Sequence, residues 1–116
     1  MIRVALLSVS SALVAASVAL ADTRDHSLAE GQLLLQSCES QAPTLRAMCL
    51  GYLAAVADDV RRSMQQGDPA ACLPAVTNLE AYRVAFIGFA RAQPGAASRP
   101  SFDLARDALA TQWPCS

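Results

Sequence analysis

The sequence has no lysine, a single histidine and few aromatic residues, and each shortage excludes a class of function. All nine basic residues are arginine, and ten acidic residues leave a net charge of -1. A sequence with this charge balance lacks the excess of basic residues that is typical of a nucleic-acid-binding protein. His26 alone cannot form a histidine-rich metal site, and it lies near a chain start where a catalytic base would be poorly held. With neither a glycine-rich phosphate loop nor a serine beside a base, we expect no catalytic residues, no cofactor and no metal, and so not an enzyme.

Residues 1–21 have the features of a secretory signal peptide. Arg3 precedes an uncharged, largely apolar run, and an A-x-A site ends at Ala21, directly before Asp22. These three features are typical of an exported protein. The alternative is a membrane anchor, because the uncharged run reaches the lower length limit for crossing a bilayer. Its serines and the acidic residue that follows favour cleavage after Ala21, which leaves one mature domain over residues 22–116 and no membrane attachment.

Four cysteines in the mature domain predict two disulfide bonds. An even number of cysteines in a small exported chain is typical of a disulfide framework. No two of them form a Cys-x-x-Cys pair, which argues against a zinc site and against a thioredoxin-like redox site. A domain this small gains much of its stability from such cross-links. The four residues are Cys38, Cys49, Cys72 and Cys115.

Helical periodicity dominates the mature domain, and sustained strand alternation is absent. A first helix is predicted from the capping box Ser27–Glu30 to about Cys38, a second from about Pro43 to Gln66, a third from the capping box Thr77–Glu80 to a point before Pro94, and a fourth from its cap Ser101 to about Trp113. Four helices with short connections favour an all-α, four-helix up-down bundle.

Apolar residues spaced three and four apart define the side of each helix that we expect to be buried. They are Leu28, Leu33, Leu34 and Leu35 in the first helix, Leu45, Met48, Cys49, Tyr52, Leu53, Val56, Val60 and Met64 in the second, Leu79, Tyr82, Phe86 and Phe89 in the third, and Phe102, Ala105, Leu109 and Trp113 in the fourth. Gly31 is expected to weaken the first helix. Gly51 and Gly88 lie inside helices, where glycine is unfavourable. We expect another helix, or a second copy of the chain, to approach closely there.

The up-down arrangement also predicts which cysteines pair. Cys38 ends the first helix at the same end of the bundle as Cys49 in the second helix. Cys72 precedes the third helix at the opposite end, where the fourth helix delivers Cys115. Because a disulfide needs Cα atoms within about 7 Å, the pairs Cys38–Cys49 and Cys72–Cys115 are allowed and the crossed pairings are not.

Four segments around the cysteines resemble a known family when they are taken in order. They are Gly31-Gln32-Leu33-Leu34 leading to Cys38, Cys49-Leu50-Gly51-Tyr52 with Asp58, Cys72-Leu73-Pro74 with Val76-Thr77, and Ala108-Leu109 with Trp113-Pro114-Cys115. Together they resemble the Rap/Tai-like family of immunity proteins against amidase effectors of type VI secretion. The resemblance implies a periplasmic, disulfide-bonded and often dimeric helical protein whose partner is a peptidoglycan-cleaving amidase.

A protein that inhibits an enzyme needs only to cover its catalytic cleft, and the longest predicted loop, residues 93–100, is our candidate for that contact. Gln93 begins this loop, Arg99 is its one charge, and Arg91 lies at its base. Arginine is enriched among interface hot spots. The alternative for this loop is an ordinary solvated connection. A competing function for the whole chain is a periplasmic chaperone of the acid-stress kind, and carriage of a lipid or small ligand also stays open.

Overall fold

The computed structural model describes residues 28–116, which form four α-helices and one short 3-10 helix. The helices are α1 (Gly31–Glu39), α2 (Pro43–Gln65), α3 (Leu79–Ala92), η1 (Ala96–Ser98) and α4 (Ser101–Gln112). Within this range, none of the helices combines the length and the apolar character that a bilayer crossing needs. The predicted signal peptide and His26 lie outside the described residues.

The all-α bundle cross-linked by two disulfides is confirmed. Each helix packs against the next one along the chain, and α1 also contacts α3 and α4. One core results, in which the largest fully buried apolar side chains are Phe86, Leu34, Leu53, Leu104, Leu109, Val56 and Val60. Every α-helix supplies the core, mostly from the side that its apolar periodicity predicts, although the fully buried Leu104 of α4 was not among the predicted residues.

Three residues that were predicted to face inward are substantially exposed. Leu45, Leu79 and Phe102 each expose about two fifths of their surface. All three lie in the first turn of their helices, at the edge of the bundle, where fewer neighbouring helices can cover them. The expectation was wrong for these positions because periodicity identifies a side of a helix but not how far along the helix its partner extends.

Both disulfides pair as the topology predicts, but they differ in their surroundings. Cys38 and Cys49 have Cα atoms 5.0 Å apart and are fully buried between α1 and α2. Cys72 and Cys115 have Cα atoms 4.9 Å apart and are exposed. The second bond links the chain end to the α2–α3 connection. The Cys72 amide reinforces this link by donating to the Trp113 carbonyl at 2.9 Å.

The helix starts show where local signals compete with long-range contacts. Pro43 occupies the first position of α2 as predicted. The cap of α3 is Asn78 rather than Thr77, and its side chain accepts the Ala81 amide at 2.8 Å. The N-cap of α4 is Pro100, so the prediction that Ser101 caps this helix was wrong, and Ser101 is its buried first residue.

The start of α1 also differs from the prediction. The helix begins at Gly31, and Glu30 has an extended backbone rather than the helical conformation that the Ser27–Glu30 capping box required. Glu30 forms an isolated antiparallel bridge with Pro100. Since an extended segment can pair with another segment of backbone and a helical one cannot, this long-range pairing replaces the first turn that the sequence pattern predicted.

Candidate partner-binding site

The loop 93–100 connects α3 to α4 and contains the short helix η1. The Gln93 amide closes α3 by donating to the Ala90 carbonyl at 3.4 Å. Gly95 has a φ of 74°, in the left-handed region that favours glycine, and it turns the chain into η1. Ala96 is buried, whereas Ala97 and Ser98 are exposed. The loop is therefore anchored in the core by Ala96, and we call its exposed, small and uncharged residues Ala97 and Ser98 the tip.

Backbone hydrogen bonds attach the end of this loop to the start of α1. The Gly31 amide donates to the Arg99 carbonyl at 2.8 Å, and the Ser101 amide donates to the Ala29 carbonyl at 2.7 Å. These bonds enclose the Glu30–Pro100 bridge. We call residues 29–31 together with 99–101 the clamp. It fixes the loop to a helix that lies about 70 residues earlier in the chain.

At position 31 of the clamp there is room only for glycine. A Cβ at this position would lie 2.8 Å from the Leu104 side chain and 3.1 Å from the Arg99 carbonyl oxygen, and the Ala96 carbonyl oxygen would be closer still. The expectation that Gly31 only weakens α1 missed this role. Nothing local in the sequence indicates it, because the contacts come from residues 96–104.

The prediction of close helix approach at Gly51 and Gly88 was wrong within the chain. Both glycines are exposed, and among the described residues no atom beyond the adjacent residues and the backbone of the same helix lies within 4 Å of a Cβ built at either of them. The reason is that each lies on the outer side of its helix. A second copy of the chain remains the other predicted neighbour.

The structure places the three predicted contact residues around the loop, and it gives both arginines intramolecular partners. Arg99 pairs with Asp107 of α4 at 2.5 Å, and Arg91 pairs with Glu39 of α1 at 2.8 Å. Gln93 is exposed at the junction of α3 and the loop. The charges of Arg91 and Arg99 are thus partly neutralised, and the exposed tip between them carries no charge.

A shallow groove between α3 and α4 continues from this loop. Its floor and walls are apolar or uncharged, and Val84 protrudes from it with 59% of its surface exposed. The groove is lined by Val84, Ala85, Gly88, Phe89, Ala92, Gln93, Ala108, Thr111 and Gln112. It therefore extends the uncharged surface of the loop along the outside of the bundle.

Charged residues form a separate cluster near the buried disulfide. Glu80 pairs with Arg83 at 2.5 Å and with Arg46 at 3.5 Å. The hydrogen bond from Arg83 lowers the pKa of the Glu80 carboxyl below its usual value. Arg83 also donates to the Cys38 carbonyl at 2.9 Å, at the end of α1. This cluster joins α1, α2 and α3 and has a structural role.

The described residues hold no group of three or more side chains suited to a metal ion. Asp59 instead lies 3.5 Å from Arg106, whose guanidinium lies 6.0 Å from the centre of the Phe102 ring. Burial, and to a lesser degree the Asp103 carboxylate, raise the pKa of the nearby Tyr52 hydroxyl. These contacts connect α2 to α4 and do not assemble an acid and a base at a cleft.

The comparison with protein families decides the identity. A family model for Rap1a immunity proteins matches residues 30–115, from the clamp to the last cysteine. The chain belongs to the Rap1a immunity protein family. This match confirms the resemblance drawn from the four cysteine segments, and it implies an immunity-type protein that binds a secreted effector. Members of such a family are generally not enzymes. Searches of curated proteins and of solved structures give no match.

Proposed function

We propose that this protein is a periplasmic immunity protein that inhibits a peptidoglycan amidase delivered by type VI secretion. In this proposal the loop 93–100 enters the catalytic cleft of the amidase and excludes its substrate. The observation that carries the proposal is the match to the immunity family over residues 30–115. It is supported by the α3–α4 connection, in which Ala97 and Ser98 are exposed.

The physical properties of the loop suit this role. Ala96 is buried and the clamp holds the loop at its end, so that binding orders few additional torsions and loses little conformational entropy. Ala97 and Ser98 at the tip are small, which allows them to enter a narrow cleft. Because the tip is uncharged, little desolvation of charge opposes its burial.

We also propose a homodimer in which α3 of one copy packs against α3 of another. Val84 protrudes and Gly88, one helical turn later, leaves an open recess. An antiparallel two-fold arrangement would place each Val84 opposite the Gly88 of the other copy, which satisfies the self-complementarity of a two-fold interface. Val84→Asp should therefore give a monomer in analytical ultracentrifugation, whereas a change in the exposed residue Ala55 of α2 should not.

The loop is tested with two matched variants at exposed alanines. Ala97→Arg places a large charged side chain on the loop tip, and Ala55→Arg places the same side chain on α2, whereas η1 packs mainly against α1 and α3. Each variant is exported together with candidate amidases from type VI secretion loci in a host whose lysis is followed by turbidity. We expect Ala55→Arg to protect as well as wild type and Ala97→Arg to lose protection. Full protection by Ala97→Arg would refute the role of the loop.

A further inference from the structure

The clamp joins two segments that are far apart in the sequence. The Gly31 amide and the Arg99 carbonyl are 2.8 Å apart, and the Ser101 amide and the Ala29 carbonyl are 2.7 Å apart. Two backbone bonds of this length on either side of one bridge hold the end of the loop against the first turn of α1. The position of the loop is therefore set by α1 as well as by the helices that it connects.

The absence of a side chain at Gly31 allows the loop backbone to approach α1 closely. Two of the three atoms that a Cβ would meet are the carbonyl oxygens of Ala96 and Arg99, which belong to the loop backbone. A backbone atom cannot move aside as a flexible side chain can, so that any side chain at position 31 must displace the loop. The side chain of Ala96 is itself buried in the core, with 6% of the residue exposed.

Arg99 links the end of the loop to α4. Its guanidinium reaches Asp107, two turns into α4, at 2.5 Å, and about a third of its side chain is exposed. The pair links the last loop residues to α4 in the same way that the backbone bonds link them to α1. An arginine engaged in this way has less of its charge available for a partner than a free arginine has.

We propose that Gly31 and Arg99 are positioning residues, which hold the tip of the loop 93–100 in the orientation that an effector recognises. This inference rests on the proposed function of the loop. It assigns the direct contact to the uncharged tip, and it assigns to Arg99 an indirect role through Asp107.

Gly31 is tested against a matched glycine. Gly31→Ala and Gly51→Ala make the same change in two helices, but only the first has atoms within contact distance of the new methyl group. Hydrogen exchange should show the Ser101 amide exchanging faster in Gly31→Ala by about tenfold or more, with amides of α2 unchanged. Gly51→Ala should leave the exchange of Ser101 unaltered. Equal protection of Ser101 in both variants would overturn the role of Gly31.

Arg99 is tested by reversing the ion pair. Arg99→Asp places two carboxylates together, and Arg99→Asp combined with Asp107→Arg restores an attraction in the opposite sense. Binding is measured by calorimetry with an amidase that the wild-type chain inhibits. If Arg99 positions the loop, the single variant should bind at least about fivefold more weakly and the double variant should recover the affinity. A double variant as weak as the single one would show direct contact and overturn the inference.

The two readouts separate this inference from the proposed function. Hydrogen exchange at Ser101 needs no amidase and reports the clamp alone. If Ala97→Arg still inhibits while Gly31→Ala loosens Ser101, the clamp is present and the loop is not the inhibitory element. If Ala97→Arg abolishes inhibition and Gly31→Ala changes neither exchange nor affinity, the loop acts without the clamp.

Discussion

Removing the exposed disulfide should destabilise the domain almost entirely through its unfolded state. In Cys72→Ala combined with Cys115→Ala, no buried side chain is lost, because both cysteines are exposed. The Cys72 amide keeps its backbone bond to the Trp113 carbonyl, so that the chain end can stay in place. The folded state therefore changes little, whereas the unfolded chain loses its constraint.

The magnitude follows from the length of the closed loop. For a sequence separation of 43 residues, the chain-entropy relation gives about 4 kcal/mol at 25 °C. For the separation of 11 residues between Cys38 and Cys49 it gives about 3 kcal/mol, to which the loss of two fully buried side chains must be added. The exposed bond is therefore the cleaner measure of loop entropy.

Urea unfolding of the mature, oxidised chain, followed by circular dichroism, measures this effect. We expect the free energy of unfolding to fall by about 4 kcal/mol in the Cys72/Cys115 double variant. The denaturant dependence should also become steeper, because an unconstrained unfolded chain exposes more surface. A decrease below about 1 kcal/mol with an unchanged slope would refute the reasoning. In that case the unfolded chain would be compact even without the bond.

Other predictions concern caps, charges and the competing function. Asn78→Ala should lower the free energy of unfolding by about 1 kcal/mol, and Thr77→Ala by less, in the same urea assay. Because the pKa of Glu80 is lowered by Arg83, this carboxylate stabilises the fold above its usual pKa of 4.5 and loses that contribution as the pH falls through its lower folded value. Glu80→Gln should therefore flatten the acid side of a stability–pH curve, and an unchanged curve would contradict this. Ser101→Ala should not destabilise, since its buried hydroxyl has no hydrogen-bond partner among the described residues; a loss above about 1 kcal/mol would count against it. An acid chaperone should bind an apolar dye below about pH 3, and we expect no increase here.

Much of the fold could be predicted because its determinants are local or topological. The apolar spacing in the long second helix identifies one buried side, and Pro43 marks its start, so that α2 differs from the prediction by one residue at its end. The disulfide pairing follows from the order of four helices alone. These features need no knowledge of which atoms meet in the core.

The clamp could not be predicted because it depends on residues far apart in the chain. The pattern Ser27–Glu30 satisfies the local rule for a capping box, yet the pairing of Glu30 with Pro100 requires extended backbone there. Gly31 lies inside a helical pattern, and nothing adjacent indicates that Ala96 approaches it. The Arg99–Asp107 pair spans the start of α4, so that no helical spacing indicates it.

The central claim is that this chain binds and inhibits a peptidoglycan amidase through its loop. The most direct measurement is capture from the periplasm of a strain with an active type VI secretion system. Immobilised residues 22–116, as wild type, Ala97→Arg and Ala55→Arg, are compared by quantitative mass spectrometry. We predict one stoichiometric partner, retained by wild type and Ala55→Arg and lost by Ala97→Arg, whose peptidoglycan hydrolysis stops at equimolar protein. A partner of another enzyme class, or a mixture of proteins that all three forms retain equally, would contradict the claim.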